Sequence, residues 1–177
     1  MNAETTAAAS RLCTACGMCC DGTMFQIVRM QPGDSPAELG RLGMRIRSQG
    51  GEFHMEQPCA ALVELRCRIY DKRPTRCRLF NCEQLFRLEA GTISEAEAAA
   101  AITETRGLVQ LVRDLIEQSG LREDGQALAE RYERLMSTPV NAALEPEMVP
   151  LREELERQMQ LLRVILNRDF RVPAAQG

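Results

Sequence analysis

The sequence predicts a mainly α protein made of two unlike parts: a small irregular module of short strands and helices, then an antiparallel helical bundle or hairpin. Three observations predict it. All eight cysteines lie at or before Cys82. Beyond that point cysteine disappears and Ala, Glu, Leu and Arg dominate, which is helix-forming material. Apolar residues there also recur at intervals of three and four, the period of one helix face. The module is placed at residues 11–91 and the helical segment at 92–171.

Taken in order, the opening stretch MNAETTAAASRL carries an acid where a signal peptide would carry basic charge, and Ala and Thr where it would need strongly apolar residues, so a cytoplasmic protein is expected. Met24 to Met30 reads as a short strand, Pro32 and Gly33 as a turn, and Ser35 to Leu42 as a short helix, with Gly50 and Gly51 breaking the chain again. Arg73-Pro74 reads as a helix entry with Pro74 at the first helical position, the helix running to about Leu88 before Gly91. From Ser94 the signal is sharper. Ser94 followed by Glu97 matches the capping box, Ile102, Val109, Val112 and Ile116 share a face, and Gly120 ends the run. A second helix is expected from about Gln126 to Met136, with Leu128, Tyr132, Leu135 and Met136 apolar and Pro139 beyond it. In the third, Met148, Leu151, Leu155, Met159, Leu162 and Ile165 or Leu166 step through a strongly charged sequence. These stripes read first as packing faces.

Hydrophobic residues at 45% with 27% charged are the composition of a folded chain, and no apolar run approaches the length of a membrane helix. The net charge of −3 gives no general case for nucleic acid as a partner. Its distribution is uneven. Between Cys59 and Cys82, Arg66, Arg68, Lys72, Arg73, Arg76 and Arg78 face only Glu64 and Asp71, so that segment is +4 and the rest sums to −7.

Cys13, Cys16, Cys19 and Cys20 fall within eight positions, and Cys59, Cys67, Cys77 and Cys82 follow at longer intervals. In a reducing compartment such clusters are ligands or reactive groups more often than disulfides. The spacing Cys13-x-x-Cys16-x-x-Cys19 is that of a short loop wrapped around one metal or cluster. Adjacent Cys19 and Cys20 would point apart in extended backbone, which suits two metals or two edges of one polynuclear centre. A metal, together with N–H groups from the Arg-rich segment, would neutralise thiolates that could not otherwise be buried. A thioredoxin-like exchange site would need one accessible CxxC at a helix start between strands, and that context is absent. His54, the only histidine, is read as structural, and no phosphate loop or serine nucleophile motif occurs.

CTACGMCC, then Cys59, then CRIYDKRPTRCRLFNC from Cys67 to Cys82, resembles the bacterial cysteine-cluster family of zinc- or iron-chelating proteins, whose pattern is CxxCGxCC, a later Cys, and CxIYxxRPxxCRxFxC. Gly17, Ile69, Tyr70, Arg73, Pro74, Arg78 and Phe80 match as well as the eight cysteines. Between Val63 and Arg66, VELR stands where the family carries a Gly- or Asp-containing turn. The resemblance implies metal binding, with an iron-sulfur cluster favoured over zinc because a larger relative is a lysine methylase with an iron-sulfur centre.

The resulting expectation is a metal-binding protein with Cys13, Cys16, Cys19, Cys20, Cys59, Cys67, Cys77 and Cys82 as ligands. One alternative is a metal-stabilised interaction module that meets a protein partner through its C-terminal helices. A further one is an iron-sulfur enzyme of methyl or electron transfer.

Overall fold

The computed structural model describes residues 3–122 and 125–172. Its elements run α1 (Ala3–Cys16), β1 (Ile27–Arg29), α2 (Pro36–Arg41), β2 (Ile46–Gln49), β3 (Glu52–Glu56), β4 (Leu62–Val63), β5 (Arg66–Cys67), a 3-10 turn (Tyr70–Lys72), α3 (Thr75–Leu79), α4 (Glu83–Glu89), α5 (Glu95–Gln118), α6 (Leu128–Ser137) and α7 (Met148–Asp169). The protein is mainly α, as its sequence predicts.

The long helices form for the expected reasons. Ser94 caps α5 by accepting the Glu97 N–H, while Glu97 Oε2 accepts the Ser94 N–H at 2.7 Å, so two orphan donors of the first turn are satisfied reciprocally. Gly120, at φ +86°, follows the helix end. Ala98, Ile102, Thr105, Val109, Val112, Leu115 and Ile116 are the buried face of α5, and Leu155, Met159, Leu162 and Leu166 that of α7. Thr105 enters this apolar face because its hydroxyl donates back to the Ala101 carbonyl at 2.8 Å.

One helix escaped the sequence reading. α1 is rich in Ala and has no long apolar stripe, yet Ala8, Leu12 and Cys16, four apart, are all buried on one side. It lies along α5 and α4, with the Arg11 guanidinium and the Glu95 carboxylate bidentate at 2.8 Å. The helix expected from Pro74 to Leu88 is in fact two. Phe80 is extended (φ −74°, ψ 121°) and packs edge-on against Phe25 with ring centroids 5.2 Å apart, and Cys82 then starts α4 as its N-cap residue. Pro74 is the N-cap of α3, one place before the expected first helical position, and Asp34 Oδ1 accepts the Thr75 N–H and hydroxyl at 2.9 and 2.8 Å in place of a local cap. The strand expected at Met24 to Met30 is shortened to β1.

β1, β3 and β2 make a three-stranded antiparallel sheet with β3 central, Val28 opposite Met55 and Ile46 opposite Met55 on the other side. Gly50 and Gly51, at φ +60° and +82°, turn β2 into β3. β4 and β5 pair through VELR, with Glu64 and Leu65 at φ 48° and 63°. The hairpin therefore forms without the Gly or Asp turn, in a conformation that non-glycine residues adopt at a cost.

Two buried clusters result. The larger joins Leu12, Met18, Met24 and Leu85 to the faces of α5, α6 and α7 and ends at Phe170. The smaller consists of Leu39, Met44, Met55 and Ala61. No helix among the described residues is long and apolar enough to cross a membrane.

Candidate metal centre

All eight cysteines are free thiols. Cys13 and Cys16 do not lie on a loop, as the CxxCxxC spacing suggested, but three apart on the last turn of α1, where their side chains share a face. Gly17, at φ +67°, ends that helix, its N–H donating to the Cys13 carbonyl at 3.1 Å while its own carbonyl accepts the Cys20 N–H at 2.8 Å. A Cβ on Gly17 would stand 2.7 Å from Leu65 Cδ2, so glycine serves both the turn and the approach of the β4–β5 hairpin. The turn holds Cys19 beside α1 and sends the Cys20 carbonyl to the Cys59 N–H at 2.7 Å.

α5 clamps this turn from the other side. Arg106 Nη1 donates to the Cys16 carbonyl, and Arg113 Nη2 donates to Asp21 Oδ2 at 3.0 Å. The Leu128 N–H at the start of α6 donates to the Gly22 carbonyl at 3.0 Å. Arg106 and Arg113 were not singled out in the sequence, although two arginines seven apart on an apolar helix are a signal for a pair of buried contacts on one face.

The thiols fall into two adjoining neighbourhoods. Cys13 is raised to about 11 by desolvation of its thiol and then by Cys82 and Cys20, against Arg73. Cys16 is raised to about 12 by burial and then, against an N–H from Met18, by Cys82 and Cys13. Cys19 is pushed up by donating toward Cys20, by burial, and by Cys20, Cys16 and Cys13. On the other side Cys77 is raised to about 12 by burial and by Cys20, Cys59 and Cys67, against Arg73. Burial also raises Cys59 and Cys67, each of which feels Cys20. Cys20 is the exception: the S–H of Cys19 holds it down, helped by Arg73 and opposed by its own burial and Asp21. The backbone of the adjacent pair is a turn and not a strand, so the extended-backbone reason for the two side chains to point apart does not apply.

Of the six basic residues between Cys59 and Cys82, Arg73 is the one that acts on thiols of both neighbourhoods. Its Nε donates to the Tyr70 carbonyl at 2.9 Å and its guanidinium lies 3.7 Å from the Tyr70 ring centroid. Arg66, Arg68, Lys72, Arg76 and Arg78 are exposed. Backbone N–H groups of Met18, Ala61, Ile69 and Gln84, each two residues past a cysteine, favour the thiolates of Cys16, Cys59, Cys67 and Cys82. His54 is buried in the middle of β3, opposite Arg29 and Arg47.

Donor type, number and grouping fit a thiophilic metal such as zinc or iron. Among the described residues no three His, Cys, Asp or Glu side chains stand as a coordination set, so a metal held by these cysteines would have to draw their sulfurs together. Cys16 is buried, Cys13 is exposed and the other six are half-buried, and a bound cation would offset the cost of ionising thiols gathered in this way.

A family model described as "CxxCxxCC: Putative zinc- or iron-chelating domain" matches residues 12–100, half of the chain. No curated protein and no solved structure matches it.

Proposed function

The chain belongs to this CxxCxxCC family of zinc- or iron-chelating domains, and from that premise we propose that Cys13, Cys16, Cys19, Cys20, Cys59, Cys67, Cys77 and Cys82 are its metal ligands. The observation that carries the reading is the gathering of eight unbridged thiols from α1, the following turn, the approach to β4, β5, α3 and the start of α4 beside the two buried clusters. A fold stabilised only by its apolar contacts gains nothing from that arrangement. A metal converts it into coordination, releasing a proton from each thiol it binds.

Between the two metals we favour an iron-sulfur centre. Adjacent Cys19 and Cys20 lie within one turn, which lets two polynuclear centres stand side by side, and the N–H groups that favour four of the thiolates are the outer interactions that tune such centres. Anaerobic purification followed by elemental analysis tests this. Iron with acid-labile sulfide in a coloured protein is the expected result; a colourless protein with stoichiometric zinc would leave chelation standing and remove the iron-sulfur assignment.

A further inference from the structure

We infer that the eight cysteines form two four-thiolate sites that cross the sequence order, one of Cys13, Cys16, Cys19 and Cys82 and the other of Cys20, Cys59, Cys67 and Cys77. The inference rests on the chelation reading above and goes beyond it by assigning each ligand to a site. Sequence order would instead group the first four cysteines against the last four. The fold exchanges two of them, Cys20 and Cys82.

Two features support the exchange. First, the backbone places the members: α4 packs on α1, so Cys82 at the start of α4 comes to the end of α1 that carries Cys13 and Cys16, while the Cys59 N–H holds the Cys20 carbonyl at 2.7 Å. Second, apolar packing divides the same way. Cys16 and Cys82 belong with the large cluster, whereas Cys59, Cys67 and Cys77 pack on the small one around Leu39, Met44, Met55 and Ala61.

Cys19 and Cys20 are consecutive, so the sites are adjacent rather than separate modules. Four thiolates per site is the closed coordination that both tetrahedral zinc and a cubane iron-sulfur cluster take. Each set draws on distant parts of the chain, so each metal would also cross-link the fold.

Stepwise metal removal from the intact, anaerobically isolated protein reads the partition directly. A chelator is added in increments, exposed thiols are alkylated with N-ethylmaleimide, and peptides are mapped by mass spectrometry. The expected result is modification in two blocks, with Cys13, Cys16, Cys19 and Cys82 in one and Cys20, Cys59, Cys67 and Cys77 in the other. Blocks that follow sequence order, or all eight thiols appearing together, would overturn the partition while leaving chelation intact. An isolated protein with neither zinc nor iron, and all eight thiols alkylated before any chelator, would overturn the chelation reading and the partition with it. Double variants give a second readout: Cys16→Ser with Cys82→Ser should retain half of the metal, and Cys77→Ser with Cys82→Ser should lose all of it. Retention of half by the second pair would contradict the assignment.

Discussion

The two buried clusters hold the chain in different ways. Among the described residues the large one contains 19 buried residues, drawn from early and late parts of the chain, among them Leu12, Val112, Leu155, Leu162 and Phe170. The small one has four, and beside them pack Cys59, Cys67 and Cys77. Each buried aliphatic side chain is worth roughly 1.5–3 kcal/mol, and each ordered residue costs backbone entropy of about 1–2 kcal/mol. A sheet of three short strands with four buried side chains beneath it is too little to hold itself closed on those terms. Coordination by structural zinc contributes up to roughly 10–16 kcal/mol apparent at neutral pH, which is the scale that the small cluster lacks. The comparison teaches that apolar packing carries the helices, and on the proposed reading coordination would carry the sheet.

The change of material at Cys82 is not a boundary between independent cores. Cys16, Met18, Met24 and Leu85 are in the large cluster, the Glu83 N–H donates to the Phe170 carbonyl at 3.0 Å, and Gln84 Nε2 donates to the Asp169 carbonyl at 2.8 Å. On the proposed partition the first site would be mounted on the helical core and the second on the sheet.

The strongest expected effect is that of pH, and it differs in sign with and without metal. In the loaded protein, protons compete for the thiolates, so apparent affinity falls with acid, with about four protons taken up per site released. In the metal-free protein, burial holds Cys16 and Cys77 at about 12 against an ordinary 9.0. Raised pKa values contribute stability below pH 9.0 that is lost as pH climbs toward about 12. Thermal unfolding of both forms across this range checks the signs; a metal-free protein that gains stability between pH 9 and 11 on the order of one unit's linkage would contradict them.

Next in size are core truncations. Leu162→Ala, at a position fully buried in the large cluster, should cost about 2–5 kcal/mol and leave metal content unchanged. Met55→Ala, under the sheet, should instead weaken the second site, seen as earlier release of the Cys59, Cys67 and Cys77 block on chelation. Equal metal loss from both variants would erase the distinction between the clusters.

Smaller effects are expected at the turns. Gly17→Ala forces a side chain into φ +67° and against Leu65, for a cost of about 1–2 kcal/mol in chemical denaturation. Glu64→Asn should do the opposite, because asparagine tolerates φ 48° better than glutamate, with a gain below about 1 kcal/mol.

How far the sequence was legible follows from which forces act locally. The capping box at Ser94, the stop at Gly120 and the stripes of α5 and α7 are local signals, and each is where its residues predict. The break between α3 and α4 is tertiary: the apolar pattern runs on through Leu79 and Phe80, and only the packing of Phe80 on Phe25 shows why the backbone turns extended there. α1 was hidden because Ala8 and Cys16 are weak apolar markers that become a face only against α5. At the candidate site the eight thiols were legible as a set, while their grouping was not. The proposed exchange of Cys20 and Cys82 depends on the turn at Gly17 and on the placement of α4 by Cys82 at its N-cap, which spacing alone does not encode. The role of Arg73 among six basic residues was hidden for the same reason.

Residue-resolved amide hydrogen exchange, on the anaerobically isolated protein and again after full chelation under reducing conditions, tests the central contrast most directly. The account predicts that chelation strips protection from β1, β2, β3 and the β4–β5 hairpin while α5 and α7 keep theirs. Unchanged protection in the sheet would contradict it, and so would a uniform loss across sheet and helices.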